Sequence, residues 1–301
     1  MITLRKSILA SALLLVTACA NVLGIEDTEV AASCKPGDFA YDGGNGQGEG
    51  THNAGPNEDF SCVGNLESEL ATSETVQITL NVGVLVTNKP LGGVTVKACP
   101  SRTDFGCATP QDEVTTGDDG VATLTVNTRT NRGLTGYQGY LQITGPDNGD
   151  DPWLDYLQYF SRPVVGDRTF PLSMLTRSDF KGVFLDTVGA EQRDDRGWLA
   201  VESVDCKDKG APNIRLSVPN QCDYLDGASR EFYFFGGGPS GDVSTTQPGE
   251  IALGGFLNIK PGNALEVRAY WHPEAQNLLT VVDRLIIRPN TLTTLRFEPN
   301  Q

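Results

Sequence analysis

The sequence predicts an all-β protein with two antiparallel β-sandwich domains, and three observations lead to this prediction. Apolar residues alternate with polar ones in many short runs, as they do in strands that bury one face. Turn residues separate these runs at intervals of about 8 to 15 positions. No segment of the sequence sustains an apolar repeat of about 3.6 residues, the period that an amphipathic helix requires.

The run at 76–86 shows the alternation most clearly. Val76, Ile78, Leu80 and Val82 occupy every second position, and polar residues fill several positions between them. The later runs VTVKAC, VATLTVNT, GYLQIT and RTFPLSML repeat this pattern, with the turn sequences KPLGG and TTGDDG among them. These runs amount to about seven strands, the number of a small β-sandwich, and predict a first sandwich over residues 73–177.

The second half of the chain continues in the same way. The runs GWLAVESVDC, IRLSV, EFYFFGG, LEVRAYW and TVVDRLIIRP predict a second sandwich over residues 178–301. The segments TTGDDGVATLTV and TTQPGEIALGGFLNI are loosely alike, and each precedes a strand in the later part of its unit. The two sandwiches are therefore predicted to be related to each other.

Residues 1–18 have the three parts of a secretory signal peptide. Arg5 and Lys6 give a positive start, an apolar run follows, and small residues close the segment. The apolar run is shorter than the roughly 20 residues that a membrane-spanning helix needs. The stretch LVTAC resembles the lipobox of bacterial lipoproteins, which implies that Cys19 is lipidated and begins the mature chain. Ala20 at the next position favours the outer membrane.

Residues 19–72 are predicted to form a flexible, glycine-rich tether, because the stretch DGGNGQGEGTHNAGPNED has too few apolar residues for a core. The whole chain has 23 Lys+Arg and 38 Asp+Glu, a formal net charge of −15. Loss of residues 1–18 removes two basic residues and no acidic one, so 21 against 38 leaves −17. Such acidity argues against nucleic acid as a partner, and against anionic lipid as a partner of the folded body.

Six of the seven cysteines remain when Cys19 is assigned to lipid, and an exported protein is expected to oxidise them. Proximity in the sequence predicts the disulfides Cys34–Cys62, Cys99–Cys107 and Cys206–Cys222. The middle pair closes a loop of seven residues, whereas the two outer pairs can exchange partners. No Cys-x-x-Cys motif occurs, and the two histidines lie far apart, so no metal cofactor or other cofactor is predicted.

Three stretches carry a family resemblance. PLGGVTVKAC, TTGDDGVATLTV and GYLQIT resemble the carboxypeptidase regulatory-like domain, although Gly117 replaces the second residue of its T-D-x-x-G turn. GGFLNIKPGNALEVRAY resembles a later part of the same domain. The resemblance spans roughly residues 72–301 and implies a transthyretin-like β-sandwich without catalytic residues. Related modules of bacterial surface proteins act as spacers, adhesive units or polysaccharide-facing additions.

Candidate chemistry is sparse. No G-x-S-x-G or H-E-x-x-H motif occurs, His52 falls in the tether, and His272 stands at a turn before a proline. Carboxylates are plentiful, so a hydrolase that uses an acidic pair stays open. Asp147, Asp150 and Asp151 are the candidates for calcium binding, although acidic residues also favour turns for backbone reasons alone.

Aromatic residues offer the remaining candidate site. Trp153, Tyr156 and Tyr233 are the expected contacts if an exposed aromatic platform binds glycan, since sugars stack on aromatic rings. The alternative is that these side chains belong to the sandwich core.

The sequence therefore predicts a lipid-anchored, non-enzymatic protein of the cell envelope with a structural or surface-presenting role. One alternative is a carbohydrate-binding or protein-binding adhesion module, and another is a carboxylate-based hydrolase. The predicted partners are the membrane, through the lipid on Cys19, and a glycan or an envelope protein. The predicted location is the outer membrane, on its periplasmic or its surface-exposed face.

Overall fold

The structure is a computed structural model that describes residues 59–63, 70–271 and 277–299. Its strands are β1 (Thr75–Val84), β2 (Thr95–Cys99), β3 (Asp112–Thr115), β4 (Val121–Asn127), β5 (Arg129–Thr130), β6 (Gly133–Leu134), β7 (Tyr140–Thr144), β8 (Asp155–Phe160), β9 (Arg168–Met174), β10 (Gly197–Ser203), β11 (Ile214–Ser217), β12 (Arg230–Phe235), β13 (Gly238–Ser240), β14 (Leu253–Ile259), β15 (Gly262–Trp271), β16 (Asn277–Ile287) and β17 (Thr291–Phe297). The helical segments are α1 (Arg177–Phe180), a π-helical turn (Lys181–Leu185), α2 (Asp186–Val188) and α3 (Gln221–Tyr224). The prediction of an all-β fold is confirmed. Within the described ranges, no helix has the length and apolar character to cross a membrane.

A nine-stranded sheet runs through both halves of the chain, in the order β13-β12-β14-β10-β17-β8-β7-β2-β3. The last strand, β17, lies between β10 and β8 and is parallel to both, with Leu292 opposite Trp198 on one side and Tyr156 on the other. Strands β1 and β9 also pair in parallel. The predicted antiparallel pairing therefore holds for most strand pairs of the described residues but not for these three. Residues 73–177 and 178–301 share a sheet instead of forming two separate sandwiches.

The three-stranded sheet β4-β1-β9 packs on one face of this central sheet. The alternation of β1 places Ile78 and Leu80 in the core, where both are fully buried. Val96 and Ile143 are paired across β2 and β7 and belong to the same core. The Tyr156 hydroxyl of β8 donates a hydrogen bond to a backbone carbonyl of β9 at 3.1 Å, which ties the two layers together.

The sheet β11-β15-β16 covers the opposite face of the central sheet. Two neighbouring residues of β17 show this. Leu292 faces the core that lies under the sheet β4-β1-β9, whereas the Thr293 hydroxyl points the other way and donates a hydrogen bond to the Ile286 carbonyl of β16 at 2.8 Å. Backbone N–H groups of Leu216 and Ile286 also donate to tyrosine hydroxyls of the central sheet, at 2.8 and 3.2 Å. The described part of the chain therefore has three layers, and much of the central sheet is buried on both faces.

The predicted boundary at residues 177 and 178 falls on a helical connection that is packed against the central sheet. The Thr176 hydroxyl caps α1 by accepting a hydrogen bond from the Asp179 N–H at 3.2 Å. Phe180 then packs on Trp198 with ring centroids 4.5 Å apart, and Phe184 packs on Phe232 at 5.5 Å. These contacts belong to the core that β1 helps to form, so one hydrophobic core crosses the predicted boundary.

Residues 59–63, which the sequence placed in the tether, pack on the second half of the chain. The Phe60 ring lies 4.5 Å from that of Trp271, and Phe60 is buried. The Asp59 carbonyl accepts a hydrogen bond from the Cys206 N–H at 2.8 Å. The Asp59 carboxylate lies 2.9 Å from the Lys207 ammonium, and hydrogen bonds from Ser61 and Lys207 hold the pKa of Asp59 well below its usual value. Residues 59–63 are therefore part of the folded body.

Two disulfides are defined in the described residues. Cys99–Cys107 confirms the prediction from the short loop, with Cα atoms 5.2 Å apart. Cys62 pairs with Cys206, across a sequence separation of 144, so the predicted pairs Cys34–Cys62 and Cys206–Cys222 are wrong. The docking of residues 59–63 explains the error, because it brings together two cysteines that are distant in sequence. Cys222 is also disulfide-bonded, and Cys34 lies outside the described residues.

Candidate functional site

A polar cleft of about 510 Å³ lies where the two halves of the chain meet. Its walls are the Cys99–Cys107 loop, the end of β4 with the β5–β6 hairpin, the segments next to β7 and β8, and one point of β16. It is lined by Pro100, Ser101, Arg102, Thr103, Gln111, Asn127, Arg129, Thr130, Gly136, Tyr137, Gln138, Ser161, Pro163, Asp283 and Arg284. We refer to these residues as the polar cleft.

The disulfide loop forms a rigid wall of the polar cleft. The buried Tyr137 hydroxyl lies 2.8 Å from the Cys99 carbonyl oxygen and 2.7 Å from that of Tyr140, and it can donate to either. Burial raises the pKa of Tyr137, so the hydroxyl keeps the proton that this contact needs. The Tyr140 hydroxyl donates to the Asp104 carbonyl at 2.6 Å. These bonds and the disulfide hold the loop in place before any ligand arrives.

Arg102 belongs to this loop and is half-buried. One of its terminal nitrogens donates to the Phe160 carbonyl, whereas its Nε is buried and has no hydrogen-bond partner among the described residues. Burial lowers the pKa of Arg102, and the nearby Asp283 carboxylate opposes that shift. Arginine nevertheless stays charged in proteins. The polar cleft therefore contains a half-buried cation whose hydrogen bonding is incomplete.

A β-bulge in β16 supplies the opposite wall. Leu265 pairs with Leu285 and Val267 pairs with Val282, so one residue of β15 stands opposite the two residues Asp283 and Arg284. Arg284 adopts a left-handed backbone conformation with φ of 58°, which is uncommon for a residue with a side chain. Bulges of this kind redirect side chains and are frequent beside functional sites. Here both residues of the bulge line the polar cleft.

The charge of the polar cleft contrasts with that of the chain. Among the described residues, three arginines and one aspartate line it, which gives two net positive charges in a chain whose formal net charge is −15. Arg129 is paired with Glu74 at 2.6 Å, and Arg284 with Asp283 at 3.6 Å. The other polar side chains in the lining are amides and hydroxyls, which both donate and accept hydrogen bonds.

The lining residues offer little for catalysis. Asp283 is the one carboxylate among them, whereas glycoside hydrolysis ordinarily uses two, placed across the scissile bond. The Ser161 hydroxyl accepts a hydrogen bond from the Glu298 N–H at 3.0 Å, and the described residues of the lining include no histidine that could act as its base. The arrangement can bind and orient a polar ligand.

The predicted aromatic glycan platform does not form. Tyr156 is 2% exposed and Tyr233 is 0% exposed, so neither ring can stack on a sugar. Trp153 is half-buried against the core and covers Gly145, where a Cβ would come within 2.4 Å of the tryptophan side chain. The prediction is wrong for both tyrosines because sheets cover both faces of the strands that carry them.

The predicted calcium ligands do not converge. The Asp147 carboxylate accepts a hydrogen bond from the Gly149 N–H at 3.0 Å, within its own turn. The Asp151 carboxylate accepts hydrogen bonds from Ser178, which lower the pKa of Asp151. Over residues 59–63, 70–271 and 277–299, no group of three acidic, histidine or cysteine side chains can hold a metal ion, and Asp150 belongs to no such group. Cys19, His52 and His272 lie outside the described residues.

The residues of the polar cleft were not singled out by the sequence. Two local features point to them in retrospect. Arg102 lies inside the loop of the most securely predicted disulfide, which fixes its backbone. Asp283 and Arg284 form a charged pair that interrupts the apolar run TVVDRLIIRP, as a bulge would. Neither feature indicates that the two segments, about 180 residues apart in sequence, meet at one cleft.

Comparison with known proteins leaves the family open. No protein-family model matches the chain, and no curated protein matches it in sequence. Among solved structures, the Bacillus anthracis TIE protein is 10% identical with a TM-score of 0.21 over 75% of this chain and 34% of its own. A streptococcal ancillary pilin is 11% identical with a TM-score of 0.22, over 76% of this chain and 64% of its own. The shaft pilin SpaA from Lactobacillus rhamnosus GG is 11% identical with a TM-score of 0.24, over 76% of this chain and 99% of its own. The chain spans about a third of the TIE protein and just under two thirds of the ancillary pilin. Similarity at these TM-scores carries no conclusion about this chain.

Proposed function

We propose that this protein is a lipid-anchored, non-enzymatic binding protein of the bacterial cell envelope, and that its polar cleft binds a saccharide. The observation that carries the proposal is the polar cleft itself, a preformed concavity of about 510 Å³ lined with guanidinium, amide and hydroxyl groups. Its volume lies within the range of roughly 300–1,000 Å³ that is usual for small-molecule sites. The proposal therefore favours the carbohydrate-binding alternative over a purely structural role.

The lining supports a hydroxyl-rich ligand. Each sugar hydroxyl can donate one hydrogen bond and accept two, so it is best received by groups that do both. The amides of Gln111, Asn127 and Gln138 and the hydroxyls of Thr103 and Thr130 provide such groups around the cleft. Preorganisation by the disulfide loop reduces the entropy that the protein loses on binding. Polar contacts would thus replace the aromatic stacking that the sequence predicted.

The cell-envelope location rests on two features. The disulfides Cys62–Cys206 and Cys99–Cys107 are typical of a protein that matures in an oxidising compartment. The signal-peptide and lipobox-like sequence that ends at Cys19 supports export and lipidation. We propose the outer membrane as the location, in agreement with Ala20 after the lipidated cysteine. The resemblance to carboxypeptidase regulatory-like modules agrees with an accessory, polysaccharide-facing role.

The proposal is tested with a glycan array and the mature lipidated protein in detergent micelles. A double variant, Asn127→Ala with Gln138→Ala, should bind the array's saccharide ligands about tenfold more weakly, because each lost hydrogen bond is worth about 0.5–1.5 kcal/mol. Gln192→Ala is the matched control, since Gln192 does not line the cleft. Absence of saccharide binding, or equal binding by the double variant, would contradict the proposal. Turnover of a bound saccharide would instead support the carboxylate-based hydrolase.

A further inference from the structure

We propose that the saccharide bound by the polar cleft is acidic, and that Arg102 receives its carboxylate. This inference rests on the proposed function and adds the charge of the ligand to it. The polar cleft carries two net positive charges, whereas the chain as a whole is strongly acidic. A concave site of one sign within a surface of the opposite sign attracts and positions ligands of complementary charge.

Arg102 is the residue best suited to receive the anion. Its guanidinium is held by the Phe160 carbonyl, which leaves the buried Nε without a partner in the described structure. A cation that is partly removed from water, with one donor buried and unpaired, is destabilising unless its charge and its hydrogen bonds are satisfied. A ligand carboxylate would supply the counter-charge and accept hydrogen bonds from the guanidinium, whose planar fork matches its geometry.

The other two arginines of the cleft differ from Arg102, because each already has an acidic partner. Arg129 lies 2.6 Å from Glu74, and both side chains are exposed at the rim. Arg284 lies 3.6 Å from Asp283. Arg102 forms no ion pair among the described residues, although Asp283 is close enough to influence its pKa. Arg102 is therefore the cation of the cleft that has no acidic partner within ion-pair distance among the described residues.

Asp283 opposes the binding of an acidic ligand, in contrast to Arg102. Its exposed carboxylate lies beside both Arg284 and Arg102 and partly neutralises the cleft. An acidic ligand has to bind against this negative charge. Removing the charge, as in Asp283→Asn, should therefore strengthen the binding of an acidic saccharide and leave the binding of a neutral one unchanged.

The test compares polysaccharides that differ only in charge. Polygalacturonate, alginate and hyaluronate are each titrated beside their carboxyl-reduced forms, with the mature protein in detergent, by isothermal titration calorimetry. We expect the acidic forms to bind at least tenfold more tightly. Arg102→Gln should remove most of that preference, and Asp283→Asn should increase it several-fold. Arg132→Gln is the matched control, since Arg132 is exposed at the turn of the neighbouring β5–β6 hairpin and does not line the cleft.

Each outcome bears on the inference separately from the proposed function. Equal affinity for acidic and reduced forms overturns the inference and leaves saccharide binding intact. Absence of binding to all six polymers overturns the inference, and the glycan array then decides the proposed function separately. Circular dichroism shows whether Arg102→Gln is folded. If Arg102→Gln is not folded, Asp283→Asn tests the inference instead, because Asp283 is exposed and its replacement leaves the core unchanged. Weaker or unchanged binding of acidic polymers by Asp283→Asn contradicts the inference.

Discussion

Removal of the Cys62–Cys206 disulfide is expected to destabilise this protein about twice as strongly as removal of Cys99–Cys107. A disulfide restricts the unfolded chain, and the restriction grows with the logarithm of the loop that it closes. The two bonds join residues that are 144 and 8 positions apart. The chain-entropy relation then gives losses of about 5 and about 2.5 kcal/mol in the free energy of unfolding.

Packing adds to both of these losses of stability. Cys99 and Cys107 are buried, so their replacement by alanine also loses contacts in the interior. Cys62 and Cys206 are only half-buried, but their bond keeps Phe60 on Trp271. After loss of the bond, residues 59–63 are held by this aromatic contact, the hydrogen bond from Cys206 to the Asp59 carbonyl and the Asp59–Lys207 ion pair. We therefore expect the order of the two losses to persist even where each value differs from the chain-entropy result.

The assay is urea-induced unfolding of the mature protein, followed by far-ultraviolet circular dichroism, for two double variants. One carries Cys62→Ala with Cys206→Ala, and the other carries Cys99→Ala with Cys107→Ala. Peptide mapping of the wild-type protein without reductant first verifies the pairings. The reasoning is refuted if the Cys99–Cys107 variant loses more free energy of unfolding, or if mapping links Cys62 to a cysteine other than Cys206.

Two further predictions concern a buried acid and the N-terminus. Burial raises the pKa of Glu231 above its usual value of 4.5, and its carboxyl accepts a hydrogen bond from the Tyr233 hydroxyl at 2.7 Å. A raised pKa stabilises the fold while the group is protonated, so this contribution is present below about pH 4.5 and is lost as the pH rises through the raised pKa. Glu231→Gln should thus gain in melting temperature relative to wild type between pH 4 and pH 8, and parallel curves would contradict this. For the N-terminus, Cys19→Ser should move the protein from the detergent phase to the aqueous phase on phase separation, and unchanged partitioning would exclude lipidation.

Local patterns predicted the features of the fold that depend on neighbouring residues. The period of two in β1 correctly placed Ile78 and Leu80 in the core, because successive side chains of a strand point to opposite faces. The disulfide Cys99–Cys107 was correct because a loop this short keeps its ends within bonding distance. Proximity along the chain predicted the wrong disulfide partners for Cys62 and Cys206, because their pairing depends on where residues 59–63 dock.

These local sequence patterns could not predict the polar cleft. Arg102 and Asp283 are 181 positions apart by their numbers, and only the packing of β16 across the central sheet brings them to one cleft. The predicted glycan contacts Tyr156 and Tyr233 failed for a related reason. Alternation assigns a side chain to one face of its strand, but it does not tell whether another sheet covers that face.

The sequence by itself determined the class of the fold, the positions of most strands and the residues that face the core, since these follow from periodicity along a single strand. The tertiary structure alone decided that β17 pairs in parallel with β10 and β8 and joins both halves in one sheet. The physical reason is that backbone N–H and C=O groups are alike in every strand. The choice of a partner therefore depends on how all layers pack together, and the polar cleft exists only as a consequence of that packing.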